Sequence, residues 1–106
     1  MNSNQVPQEL LEGVVAHFDP VRVILFGSCA RGQAGDESDF DLVVVLDDDV
    51  AKEKLSWRSV YEARRKYDGA VDLFPCRQSV FQERAKVVGS FAHTVLTEGV
   101  VVYERE

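Results

Sequence analysis

The sequence has few cysteines, prolines and tryptophans, and it lacks the long apolar runs of membrane proteins and the signal sequences of secreted ones. It has two cysteines, three prolines and one tryptophan among 106 residues. No apolar run approaches the ~18 residues that a membrane-spanning helix requires. The polar N-terminus, residues 1–8, lacks the charged-then-apolar pattern of a secretory signal. We therefore expect a cytoplasmic protein that forms one domain over residues 1–106 and has no membrane partner.

Basic residues are also scarce relative to acidic ones. The chain has twelve Lys and Arg residues and eighteen Asp and Glu residues, which gives a net charge of −6. A broad nucleic-acid surface needs clustered Lys and Arg, so direct nucleic-acid binding is not expected. Cys29 and Cys76 have neither metal-ligand spacing nor the pattern of a disulfide framework. Both are expected to be reduced, partly buried thiols.

The periodicity of the apolar residues predicts alternating helices and strands, an α/β pattern. Pro75 is expected to end the third strand. Trp57 and Tyr61 in the third helix, and Phe91 in the fourth, are assigned to the core. The fourth helix is expected to bend at Gly89-Ser90. The predicted helices cover residues 8–18, 28–34, 50–67 and 78–97, and the predicted strands cover residues 21–26, 40–46, 71–75 and 100–103.

A Gly-Ser turn stands where the first apolar strand ends. Gly27 and Ser28 follow predicted strand 21–26 and open the short helix 28–34. A helix N-terminus presents unpaired N–H groups, and glycine lets a phosphate approach the backbone without a Cβ in the way. Ser28 adds a hydroxyl donor, and Arg31 lies three residues on, on the same helical face. This pattern predicts a phosphate-binding turn; the alternative is an ordinary strand-to-helix turn.

Three aspartates are the candidate metal ligands. Asp39 and Asp41 are two residues apart, so both point to one face of their strand while Phe40 points into the core. Asp72 lies between apolar residues of the third strand and would meet the pair if the two strands are adjacent. Crowded carboxylates must protonate, turn into water or bind cations, and their hard oxygens favour Mg²⁺ or Mn²⁺. The alternative is a solvated loop-to-strand junction and an unrelated exposed strand position.

In their order and spacing these residues resemble the nucleotidyltransferase superfamily related to DNA polymerase beta. Gly27-Ser28 is followed by ten residues, then by Asp39-Phe40-Asp41, with Asp72 in the position of the third carboxylate. Residues 27–42 and the end of the chain, residues 91–103, are similar to minimal nucleotidyltransferases, also called MNT domains. The resemblance covers nearly the whole chain. It implies an α+β fold with a small mixed sheet flanked by helices.

The resemblance also implies a reaction and its cofactors. Two divalent ions, Mg²⁺ or Mn²⁺, would bind together with ATP. Asp39 and Asp41 would hold both ions, and Asp72 would hold the second and help to deprotonate the attacking hydroxyl. Gly27 and Ser28 would bind the β- and γ-phosphates. Pyrophosphate would leave as the acceptor attacks the α-phosphorus.

Minimal members of this superfamily are commonly paired with a helical HEPN-domain protein, usually an RNase toxin. The resemblance therefore suggests an antitoxin that transfers AMP to a hydroxyl of that toxin, expected on a tyrosine. One alternative is a noncatalytic subunit that neutralises its partner by complex formation. Another is transfer to a small molecule, which we expect less because larger relatives use a second domain that is missing here.

Overall fold

Four strands form one mixed sheet with helices on both faces. The computed structural model describes residues 6–27 and 40–105. The strands are β1 (Arg22–Phe26), β2 (Phe40–Leu46), β3 (Val71–Arg77) and β4 (Val100–Glu104), and the helices are α1 (Gln8–Phe18), α2 (Trp57–Arg64), α3 (Gln78–Ala85) and α4 (Phe91–Glu98). The strand order is β3-β2-β1-β4, with β2 parallel to β3 and β1 antiparallel to both neighbours. This confirms the small mixed sheet flanked by helices. Across the described residues, no helix has both the length and the apolar character to span a membrane.

Strand β2 is buried on both of its faces. Successive side chains of a strand point to opposite sides, so one strand can supply two cores. Leu42, Val44 and Leu46 belong to the cluster that packs under α1 and α2. Val43 and Val45 belong to a second cluster, under α3 and α4. The apolar run of β2 thus places this strand at the centre of the domain.

Strand β3 continues beyond the proline that was expected to end it. It reaches Arg77, and Pro75 remains in register with Val44 of β2. In the sheet formed by the described residues, β3 is an edge strand. A proline is tolerated on an edge because its missing N–H can face away from the neighbouring strand. The prediction that the strand stops at Pro75 is therefore wrong.

Helix α2 starts later than the apolar pattern predicts. A short 3-10 turn, Lys52–Leu55, comes first, and the Ser56 side chain then caps α2 by accepting a hydrogen bond from the Ser59 N–H at 3.2 Å. This start turns Ser59 and Ala63 toward the core. Trp57 is left 80% exposed and Tyr61 56% exposed, so their assignment to the core is wrong.

The predicted helix over residues 78–97 is two helices, α3 and α4. Gly89 has a φ of 88° and Ser90 caps α4. The Ser90 hydroxyl donates to the Arg84 carbonyl at 2.7 Å and accepts from the His93 N–H at 3.1 Å. The expected bend is therefore a break, since these hydrogen bonds end one helix and start another. Phe91, expected in the core, is 53% exposed at the first residue of α4.

His17 connects α1 to α2 and should make stability depend on pH. Its Nε2 lies 2.7 Å from Ser59 Oγ, and Lys54 donates to its carbonyl oxygen. Burial, followed by the positive charge of Lys54, lowers the pKa of His17 below its ordinary value, and Glu62 opposes this. The unfolded chain therefore binds a proton more readily than the folded protein does. The stability due to neutral His17 is complete above the ordinary pKa of about 6.5 and is lost as pH falls below it.

We expect the Tm, followed by circular dichroism, to fall more for the wild type than for His17→Gln between pH 7.5 and pH 5.5. The glutamine can keep a hydrogen bond to Ser59 but takes up no proton in this range. Equal losses in the two proteins would show that His17 is not the titrating group.

Candidate active site

Two of the predicted carboxylates lie side by side at one end of the sheet. Asp41 of β2 is the register partner of Asp72 of β3 in the parallel ladder. Neighbouring strands are about 4.8 Å apart, and directly paired residues point to the same face. That face is the one covered by α3 and α4, because Val43, two residues after Asp41, packs in their cluster. The structure therefore brings Asp41 and Asp72 together.

Gly27 lies directly against the Asp41 carboxylate. It follows β1 with a φ of 86°, a conformation that side chains rarely adopt. A Cβ at this position would lie 2.8 Å from Asp41 Oδ2. Phe26, just before it, is the register partner of Asp41 across β1 and β2. The predicted phosphate-binding turn and a predicted metal ligand thus touch, and only glycine leaves room for this contact.

The other predicted site residues fall outside the part of the chain that the structure describes. They are Ser28, Arg31 and Asp39, together with Cys29 and the predicted helix 28–34. Within residues 6–27 and 40–105, no group of three His, Cys, Asp or Glu side chains is arranged to hold a metal. The described part of the site therefore consists of Gly27, Asp41 and Asp72. The functional roles of all six residues remain predictions.

The described carboxylates suit a divalent cation. Asp41 is partly buried, so water screens its charge only in part, whereas Asp72 is exposed. Like charges on adjacent strands repel, and a cation between them removes that repulsion. Carboxylate oxygens are the ligands that Mg²⁺ and Mn²⁺ prefer. The chemistry of this pair therefore fits the predicted metal.

An aromatic cluster that the sequence analysis missed borders the carboxylate pair. Phe26, Phe74 and Phe91, which we call the aromatic triangle, have ring centroids 5.2–5.8 Å apart. Phe26 is paired with Asp41, and Phe74 is two residues after Asp72 on the same strand. That spacing was the available signal, because residues i and i+2 of a strand share a face. The position of Phe91 depends on the break between α3 and α4.

A pocket of about 450 Å³ opens beside the aromatic triangle. Cys76 lines this pocket. Burial raises the pKa of its thiol to about 11, and the nearby Arg84 charge opposes this only in part. The thiol is therefore uncharged at neutral pH, consistent with the predicted partly buried cysteine. Residues of β2, β3, α3 and α4 line the pocket, among them Val43, Phe74, Cys76, Phe81, Arg84 and Phe91.

Comparison with known proteins gives a matching family and solved structures of similar fold. The family model described as polymerase beta, nucleotidyltransferase matches residues 8–106. A chain of a toxin–antitoxin complex crystallised with AMP-PNP has a TM-score of 0.55 and 19% identity, covering 100% of this chain and 76% of that one. A nucleotidyltransferase candidate from Sulfolobus solfataricus has a TM-score of 0.57 and 25% identity, covering 92% of this chain and 76% of that one. No curated protein matches the sequence significantly.

The family match and the fold agree with the arrangement of the described residues. The match spans every described element from α1 to β4. It also includes Gly27, Asp41 and Asp72, the positions that the Gly-Ser and Asp-x-Asp resemblance singled out. This chain therefore belongs to the polymerase beta type of nucleotidyltransferases.

Proposed function

We propose that the chain is a metal-dependent nucleotidyltransferase that transfers AMP from ATP to a hydroxyl group of a partner protein. The observation that carries this proposal is the in-register pairing of Asp41 with Asp72 beside Gly27. Membership of the nucleotidyltransferase family supports the reaction type. The choice of ATP is supported by the AMP-PNP in a complex that contains the same fold.

The order of the strands supports the roles that we propose for Gly27, Asp41 and Asp72. Gly27 follows β1, Asp41 is on the adjacent β2, and Asp72 is on β3, next to β2. The open backbone at Gly27, with Ser28 and Arg31, would bind the leaving phosphates. Asp39, Asp41 and Asp72 would hold Mg²⁺. The bound ions would neutralise charge on the triphosphate and favour in-line attack.

In this proposal Asp72 is the general base. It is exposed on the edge strand, on the side of Asp41 that lies away from Gly27. In the transfer, the acceptor hydroxyl oxygen bonds to the α-phosphorus while the bond from that phosphorus to the bridging oxygen breaks. Pyrophosphate leaves toward Gly27, and the hydroxyl proton passes to the Asp72 carboxylate. Holding acceptor and triphosphate in this line supplies much of the catalysis.

The proposed partner is a toxin. A chain with this fold occurs in a toxin–antitoxin complex, which supports a toxin partner for this one. The resemblance to minimal nucleotidyltransferases points to a HEPN-domain toxin, with a tyrosine hydroxyl as the acceptor. In this proposal the transfer of AMP silences the toxin in the cytoplasm.

Intact-mass spectrometry of the partner tests this function. The chain is incubated with ATP, Mg²⁺ and a HEPN-domain protein encoded beside it, and the partner is expected to gain whole AMP units. Omitting Mg²⁺ or adding EDTA should prevent the gain. A partner that is silenced without any mass change, with each common nucleoside triphosphate, would instead establish the noncatalytic binding subunit.

A further inference from the structure

We infer that the pocket beside the aromatic triangle is the nucleobase subsite, where the base stacks against Phe74 and Phe91. This inference rests on the proposed function, because it assumes a nucleotide with its phosphates near Gly27 and Asp41. Neither the motif nor the family match assigns a role to these phenylalanines or to the pocket. The distance of the pocket from the carboxylates, its size and the exposure of its aromatic rings support this assignment.

The distance from the carboxylates to the pocket suits a nucleotide. Phe74 follows Asp72 by two residues on β3, and Val43 follows Asp41 by two residues on β2, all on one face. At about 3.3 Å of rise per residue, the pocket wall begins roughly 6–7 Å along the strands from the carboxylate pair. One ribose spans a similar distance. An α-phosphate held at the carboxylates therefore allows the base to enter the pocket.

The pocket has the size and lining expected of a site for an aromatic ring. Its volume of about 450 Å³ falls within the usual size range of small-ligand sites. Phe74 is 40% exposed and Phe91 53% exposed, although each contacts the other rings of the aromatic triangle. Exposed aromatic faces are stacking platforms for bases. Arg84 also lines the pocket and adds a planar cation that can stack on a base.

A side chain of the partner protein is the competing occupant of this pocket. It would also bury Phe74 and Phe91, but it would leave the affinity for free nucleotide independent of them. Comparing a nucleotide with a triphosphate that has no base separates the two cases. The probes are an ATP analogue with a methylene between its α- and β-phosphorus atoms, and inorganic tripolyphosphate, each with Mg²⁺.

We expect Phe74→Ala and Phe91→Ala each to raise the calorimetric Kd of the ATP analogue about tenfold, the size of a lost stacking contact. The Kd of tripolyphosphate should not change. Phe91→Trp should restore tight binding of the analogue, because indole stacks as well as phenyl does. Trp57→Ala is the matched control, since this exposed aromatic is on α2, at the opposite face of the sheet.

Three results would overturn the inference. The alanine variants could bind the analogue as tightly as the wild type, or wild-type protein could bind tripolyphosphate as tightly as the analogue. In both cases the proposed function survives and the base is elsewhere. If wild-type protein binds neither probe, the inference and the proposed function both fail. Circular dichroism of each variant establishes that it is folded, which the partial exposure of both rings favours.

Discussion

Asp41→Asn is expected to lower the rate of AMP transfer at least about 1000-fold, since metal ligation contributes several kcal/mol to the barrier. Asparagine has nearly the same shape as aspartate and can occupy the same space against Gly27. It removes the charge that a divalent cation requires. Because the two side chains are nearly isosteric, the free energy of unfolding should stay within about 1 kcal/mol of wild type.

Initial rates of AMP incorporation into the partner, with thermal unfolding in parallel, measure both effects. Asp49→Asn is the matched control, because Asp49 is exposed beyond the far end of β2. It removes the same charge from the chain and should leave the rate unchanged. Transfer by Asp41→Asn at the wild-type rate would mean that this carboxylate holds no essential metal.

Gly27→Ala should abolish most activity, whereas Gly89→Ala should not. The two glycines have nearly equal φ values, 86° and 88°, so alanine at either site should cost a similar 1–2 kcal/mol or so of stability. Only at Gly27 does the new Cβ meet another atom, Asp41 Oδ2 at 2.8 Å; at Gly89 nothing lies within 4 Å. Displacing a reacting group by about 1 Å can cost roughly 100-fold in rate.

Comparing the two variants separates the effect of backbone strain, which both share, from the effect of a Cβ against Asp41, which only Gly27→Ala has. Both variants are expected to show similar decreases in Tm, while only Gly27→Ala loses transfer activity and affinity for tripolyphosphate. Equal activity in the two variants would show that a phosphate does not need the open backbone at Gly27. Loss of activity in both would attribute the effect to stability alone.

Local patterns in the sequence predicted some parts of this fold well. Helix α1 follows from helical spacing after Pro7, and the structure confirms it over Gln8–Phe18. Strand β2 follows from the apolar run that starts after Asp41, and residues 40–46 are confirmed. Both signals are contained within a single element. Alternation within a strand likewise predicted the face that Asp72 occupies, but its pairing with Asp41 also required β2 and β3 to be adjacent.

Other features depend on contacts that no local pattern contains. Periodicity placed Ala63 of α2 in the core correctly, but it also placed Trp57 and Tyr61 there, and both are exposed because the helix turns Ser59 and Ala63 inward. The aromatic triangle needs Phe26, Phe74 and Phe91 from three separate elements. Hydrophobicity alone assigns such residues to the core, although here Phe74 and Phe91 form a partly exposed wall of a pocket beside the carboxylates.

The proline in β3 has a consequence for how a partner can approach. The unpaired N–H and C=O groups of an edge strand can bind an extended segment of another chain through main-chain hydrogen bonds. Pro75 interrupts the row of backbone donors on β3, three residues after Asp72, the proposed general base. Capture of an extended peptide along this edge is therefore disfavoured. A hydroxyl on a folded surface of the partner, including one on a helix, can still approach Asp72 without local unfolding of the partner.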